Sequence, residues 1–275
     1  MLKQAPWSEA LLELIKCISL SKPESIELKM RYLIFTDIHG NLEAFISLLK
    51  FIQRKKIDYY IFLGDLVGYG ASPNEIIQKI QNLKPISMIR GNHDKAVCGL
   101  ESIDTFNPIA ASAIHWTKMK LKKKNNEFLC RLKKGPQIIH DDITICHGAP
   151  FDEDYYIFGE FDAAEAFRYI KTPLCLFGHT HFPYVYTEKE DIVEGTFLMG
   201  NSNEIKLEKD VTYLINPGSI GQPRDRNPKA ACAIYDSNER KIKFFRLDYD
   251  IEEAKKKIKE NELPLALAER LSLGI

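Results

Sequence analysis

Short apolar runs alternate with longer amphipathic ones through the first part of the chain. Arg31-Tyr-Leu-Ile-Phe35, Tyr59-Tyr-Ile-Phe-Leu63, residues 86–89 and residues 174–177 read as buried strands. Between the first two, residues 42–54 place apolar side chains at 42, 45, 46, 48, 49 and 52, which is one face of a helix. Residues 74–83 predict a second helix, with Pro73 at its start, where a missing N–H is not needed. This β-α-β-α-β run predicts a parallel sheet with helices on its faces. Residues 106–132 predict one or two helices rich in lysine. Residues 138–139 and 143–146 predict a hairpin around Asp141-Asp142, and 162–170 a short helix. After His181 the pattern changes to strands linked by turns, at 185–187, 192–199, 211–215, 231–235 and 242–247, followed by a final charged helix at 252–262. Two mixed sheets packed together with helices outside are expected. Residues 1–29 read as a helical extension added to a domain spanning 30–275.

Bulk composition narrows the function classes. The 275 residues suit one sizeable core. A net charge of +0 gives no field that recommends nucleic acid or an anionic membrane. The basic stretch 121–134 lacks aromatic residues suited to bases and reads as a solvated face. No apolar run reaches the roughly 20 residues needed to span a bilayer. The first 20 residues are amphipathic, with Glu9, Glu13 and Lys16, and do not read as a signal peptide. Six cysteines without a C-x-x-C pair read as reduced, buried thiols of a cytoplasmic protein.

Five of the seven histidines fall in five short segments that begin where apolar runs end. These are Asp37-Ile-His39-Gly40, Leu63-Gly-Asp65, Arg90-Gly-Asn92-His93-Asp94, Cys146-His147-Gly148 and Gly178-His179-Thr-His181. Imidazoles, carboxylates and one amide oxygen are ligands for divalent transition metals, and an α/β fold gathers strand ends into one place. Extended backbone would send Asp37 and His39, and likewise His179 and His181, to the same side. Seven donors are too many for one zinc and suit two ions sharing a bridge, for which Asp65 has two oxygens. With no thiolate in the set, a closed structural zinc does not fit. Singly, each piece is weak, because a lone histidine after a strand more often simply packs. All five in one chain are specific.

Those motifs, spanning residues 31–224, resemble the signature of the calcineurin-like metallophosphoesterase superfamily. Asn216-Pro-Gly-Ser219 and Gln222-Pro-Arg224 are similar to its compact bacterial and archaeal branch, which includes phosphodiesterases and proteins like diadenosine tetraphosphate hydrolases. The resemblance implies a four-layer αββα sandwich. It implies Asp37, His39 and His181 on one metal, Asn92, His147 and His179 on the other, and Asp65 bridging. Mn²⁺ is expected first, with Fe, Zn, Ni or Mg as alternatives. It also implies that His93 faces the phosphate rather than a metal.

The expected activity is hydrolysis of a small phosphate ester or anhydride, a nucleotide first, by attack of a metal-bound hydroxide on phosphorus. His93, with an ordinary pKa near neutral, suits the general acid. In Ser/Thr phosphoprotein phosphatases the second motif continues to an Asp and an Arg. Gly68 and Tyr69 stand there in this chain, which argues against a protein phosphatase. A non-catalytic scaffold of the same fold should have lost ligands, and all are present. Arg224 is a candidate phosphate contact and Tyr69 a candidate substrate contact. Arg90 reads as structural, Asp94 and Asn41 as supports for the ligands. The aromatic loop 151–161 either stacks a base or packs on the fold. His115 and His140 carry no role. Residues 1–29 could dock a second copy of the chain or another partner.

Overall fold

The computed structural model describes residues 29–275. The expected N-terminal extension, apart from Lys29, lies outside the described residues, and so does Cys17. Strand β1 (Arg31–Phe35) leads through helix α1 (Leu42–Ile52) to β2 (Tyr59–Phe62), and through α2 (Pro73–Ile80) to β3 (Ile86–Met88). All three strands are parallel neighbours. Local chemistry starts the helices as expected. The Asn41 side chain accepts from Ala44 N at the head of α1, and Pro73 opens α2.

Three further helices follow: α3 (Asn92–Val97), α4 (Pro108–Lys120) and α5 (Lys123–Leu129). The hairpin β4 (Gln137–Ile139) and β5 (Ile143–Ile145), helix α6 (Glu160–Phe167) and β6 (Leu174–Leu176) come next. The antiparallel run comprises β7 (Pro183–Lys189), β8 (Ile192–Phe197), β9 (Ser202–Lys206), β10 (Thr212–Pro217), β11 (Ala230–Asp236) and β12 (Lys241–Leu247). Helices α7 (Ile251–Glu260) and α8 (Leu265–Leu273) close the chain. The helix expected to be final is therefore not the last, and β9 was not foreseen.

The strands form two mixed six-stranded sheets, ordered β3-β2-β1-β11-β12-β9 and β4-β5-β6-β10-β7-β8. Alternation along β1 divides its side chains between two cores. Tyr32 and Ile34 face the second sheet and meet Ile145, Leu174, Leu176 and Ile215. Leu33 and Phe35 face outward onto Phe45 and Leu48 of α1 and Ile76 and Ile77 of α2. On the far side, Cys175, Phe177 and Tyr186 pack against Ala163, Ala166 and Phe167 of α6. The result is the helix–sheet–sheet–helix sandwich expected. Full burial of side chains such as Ile34 and Leu176 stabilises by roughly 1.5–3 kcal/mol each.

Helices α7 and α8 form a smaller cluster in which Leu267, Ala268 and Leu271 meet Ala110 and Ala113 of α4 and the ring of Tyr69. Among the described residues no helix is long and apolar enough to cross a membrane. The reading of all cysteines as reduced and buried fails at one pair. Cys98 and Cys130 form a disulfide that joins the ends of α3 and α5, and Cys130 is exposed. Spacing along the chain gave no sign of it, because the pair meets only once these two helices pack. Cys146, Cys175 and Cys232 are free and buried.

Candidate metal centre

All seven expected ligands lie just beyond the carboxyl ends of parallel strands. Asp37 and His39 follow β1, Asp65 follows β2, and Asn92 follows β3. His147 follows β5, and His179 and His181 follow β6. Both sheets thus contribute. All but Asn92 are buried, each no more than 3% exposed. Ligand atoms of Asp37, His39 and His181 lie within 4.8 Å of one another, as do those of Asp65, His147 and His179. Asn92 joins the second group, its Oδ1 being 3.2 Å from His147 Nε2.

The route by which these side chains converge differs from the expectation of extended backbone. Asp37, His39, Asp65, His179 and His181 all have positive φ, between 48° and 66°. This left-handed backbone is unfavourable for residues with a Cβ, and tertiary hydrogen bonds hold it. Asp37 N donates to Gly64 O at 2.9 Å and His39 N to Asp65 O at 3.0 Å, which knits the loops after β1 and β2 together. His179 N donates to Asp37 Oδ2 at 3.2 Å, which links the two sheets. Asn216 donates to Gly178 O at 2.7 Å, and Ser219 Oγ donates to Asp37 O at 2.9 Å. The Asn216-Pro-Gly-Ser segment therefore braces the ligand loops from below.

One carboxylate oxygen of Asp65 lies between the two groups. Its Oδ2 lies 3.5 Å from His39 Nε2 and 3.4 Å from His147 Nε2. Its Oδ1 instead accepts from His93 N at 2.9 Å. Asn92 is not at a bare strand end but opens α3. Gly91, just before it, has to be a glycine, since a Cβ there would fall 2.1 Å from Asp65 Oδ1. Asp94 pins this arrangement by accepting from the backbone of Asp65, Gly91 and Val67 at 3.0, 3.1 and 3.2 Å. Burial and the Asp65 carboxylate push Asp94 up to about 7. Asn41 and Arg90 also act as expected. Asn41 Nδ2 donates to Gly221 O, and Arg90 holds Glu153 through two bonds of 2.9 and 3.2 Å.

The donor set fits divalent cations. His39, His147 and His181 each place Nδ1 on a backbone carbonyl, of Val67, Leu63 and Gln222. A carbonyl only accepts, so Nδ1 carries the proton, and in a neutral ring Nε2 keeps a lone pair free to ligate. Nε2 of His39 and of His181 then face each other at 3.1 Å, two lone pairs that need a cation between them. Asp37 Oδ1 is buried without a hydrogen-bond partner. In His179, Nε2 donates to Asp154 O at 3.0 Å and leaves Nδ1 free. Burial keeps His39, His179 and His181 below the usual histidine range and therefore neutral. Burial opposes charge on His147 too, but Asp65, Asp37 and the Leu63 carbonyl raise it to about 10.

His93 belongs to a separate group. Its ring is wedged against His39, Tyr69 and Phe106 at centroid distances of 4.8, 4.5 and 5.1 Å. Its Nε2 lies 3.1 Å from the Tyr69 hydroxyl, and its Nδ1 is buried without a partner. It falls within ligand distance of His39 and Asp65 as well. Burial lowers its pKa to about 4, below the near-neutral value expected, so the ring stands neutral at physiological pH. Gly68 is what admits it, since a Cβ there would lie 2.7 Å from His93 Nδ1.

A cavity of about 440 Å³ opens over the centre, lined among others by Tyr69, Asn92, His93, Tyr156, His179, Arg224 and Arg270. Tyr156 stacks on His179 at 3.8 Å, and Phe158 lies parallel to Tyr156 at 5.2 Å. Arg270 escaped the sequence reading. The signals were present in Pro264 before its helix and Gly274 after it, a Pro-start and Gly-stop pair. His115 and His140 line no part of the cavity; His140 Nδ1 meets the Tyr32 hydroxyl at 3.0 Å.

A two-sheet sandwich carrying this donor set defines a class. The model of the calcineurin-like phosphoesterase family matches residues 30–183, and the chain belongs to that family. It is 42% identical over 248 residues to the uncharacterized protein MJ0912 of Methanocaldococcus jannaschii, covering 88% of this chain and 97% of that protein. A metallophosphoesterase from Sphaerobacter thermophilus superposes with a TM-score of 0.78 at 36% identity, over 90% of this chain and 99% of the other. The hypothetical protein PH1004 of Pyrococcus horikoshii shares the fold, with a TM-score of 0.74 at 23% identity over 89% and 98% of the two chains.

Proposed function

We propose that the protein is a two-metal phosphoesterase acting on a small phosphate ester or anhydride, with a nucleotide or dinucleotide first among candidates. The observation that carries this reading is the pair of buried ligand groups meeting at Asp65 Oδ2 beneath a cavity. Asp37, His39 and His181 would hold one ion, Asn92, His147 and His179 the other, and Asp65 both. Mn²⁺ is the first choice, with Fe, Zn, Ni or Mg as alternatives, because the set mixes nitrogen and oxygen without thiolate. Two divalent ions there would supply Lewis acidity and an ionised water for in-line attack at phosphorus.

The chain's own residues then orient and protonate. His93 is neutral at rest and presents one N–H. An anionic phosphate against the ring raises its proton affinity, which suits donation to the leaving oxygen. Tyr69 holds the ring from the Nε2 side. Tyr156 and Phe158, about 40% and 59% exposed, form an aromatic ledge suited to a base. A protein phosphatase is disfavoured because Gly68 gives His93 no carboxylate partner.

Turnover of bis-p-nitrophenyl phosphate, p-nitrophenyl phosphate and diadenosine tetraphosphate with Mn²⁺, with and without chelator, tests the reading. Chelator-sensitive hydrolysis of at least one is expected, and its absence on all three sinks the proposal. His93→Ala should retain metal but lose about 10²–10⁴-fold in kcat. A wild-type rate would remove His93 from the chemistry.

A further inference from the structure

Arg270 stands on α8, outside every segment the sequence singled out, yet it lines the cavity beside His93 and Arg224. Its guanidinium lies over the Tyr69 ring, with Cζ 4.1 Å from the centroid. Arg224 Nη2 donates to the hydroxyl of the same tyrosine at 3.2 Å. Two guanidiniums are thus gathered at one phenol, whose oxygen also meets His93 Nε2. Like charges brought this close repel. Among the described residues neither arginine is paired with a carboxylate. The acidic residues of the cavity wall, Glu101 and Asp154, are both tied to Lys95. Two nitrogens of Arg270, Nε and Nη2, are buried with no acceptor. An anion completes such an arrangement, because it fills the vacant donors and offsets both charges.

We infer that Arg224 and Arg270, held by Tyr69, form an anion clamp for the substrate's phosphate, one that favours phosphomonoesters and phosphoanhydrides over simple diesters. This narrows the phosphoesterase reading above and rests on it for the substrate. The preference follows from counting acceptors. A diester phosphate offers two unesterified oxygens and one negative charge, on which His93 and bound metal ions would also draw. A monoester adds a third oxygen and a second charge, and an anhydride adds a neighbouring phosphate. The planar fork of a guanidinium meets such oxygens in pairs. Tyr69 is a positioning residue, since its ring sets the plane of Arg270 and its hydroxyl aims Arg224.

Two measurements test the clamp. In the first, inorganic pyrophosphate is titrated into the chelator-treated full chain by calorimetry. Binding is expected for the wild type, with a loss of about ten- to a hundredfold in R270Q and in R224Q. R270K should recover only part, because an ammonium keeps the charge without the fork. In the second, kcat/KM is compared for p-nitrophenyl phosphate and bis-p-nitrophenyl phosphate in the Mn²⁺-loaded protein. R270Q should lose about tenfold more on the monoester than on the diester, chiefly through KM. Thermal unfolding reports whether α8 stays docked, and if R270Q unfolds, R270K carries both comparisons. Unchanged pyrophosphate binding, or equal losses on the two esters, overturns the clamp. Pyrophosphate binding through both arginines in a protein that hydrolyses neither ester nor diadenosine tetraphosphate would sink the phosphoesterase reading and leave the clamp standing.

Discussion

Gly68 decides what kind of neighbour His93 has. A Cβ at that position would lie 2.7 Å from His93 Nδ1 and 2.9 Å from His39 Nδ1, and φ there is +129°. Gly68→Ala therefore meets both a clash and an unfavourable backbone. We expect a loss of about 1–3 kcal/mol of stability and a displaced His93. Urea denaturation together with turnover would check this, and a variant matching wild type in both would show that the loop yields freely. No aspartate stands at this position, and the Tyr69 hydroxyl instead meets His93 at Nε2. Tyr69 in turn engages Arg224 and Arg270. The Gly68-Tyr69 departure, read in the sequence as evidence against a protein phosphatase, is thus also a gain of partners.

At the scale of elements, the disulfide between Cys98 and Cys130 closes a segment that includes α4 and whose Thr105, Phe106, Asn107 and Ala110 line the cavity. Reduction should lower stability by about 3–4 kcal/mol, as loop closure of this length implies. Thermal unfolding with and without reductant measures the change, and native-state labelling of both thiols would show instead that the bond is not formed. No spacing in the sequence announced this pair, since it depends on how α3 and α5 pack. Strand β9 was equally hard to see: Ser202-Asn-Glu-Ile-Lys206 has one apolar residue and lies at a sheet edge. By contrast, β1, β2 and β6 and the ligands after them were legible, because buried parallel strands are continuous apolar runs and polar residues end them abruptly. The left-handed backbone of the ligands was not legible. It is imposed by partners such as Asp65 O and Gly64 O, far away in sequence.

For the whole molecule, the centre joins two sheets and is dense in neutral histidines. His39, His93, His179 and His181 all have folded pKa values below the unfolded value of about 6.5. The unfolded chain therefore binds more protons in acid, and stability falls as pH drops below 6.5. His93 alone contributes roughly 3 kcal/mol across the window from 6.5 to about 4. His147, raised to about 10, acts oppositely: its contribution is full below 6.5 and is lost as pH rises toward 10. Asp94, raised to about 7, also opposes the histidines by gaining a proton in the fold as pH falls below 7. The net loss therefore falls to His39, His179 and His181 beyond His93. Chemical denaturation of chelator-treated protein from pH 7.5 to 4.5 should show a progressive loss of stability, and a flat profile would contradict the neutral assignments.

The three loops that hold five of the candidate ligands at positive φ have a consequence beyond the site's chemistry. Each spends stability on a shape useful only when a cation is present, and ion binding would return it in proportion to ion supply. A cell short of metal would then carry a chain that opens more often and is presented more often to proteases. Its abundance, and not only its turnover number, would follow the metal economy of the organism.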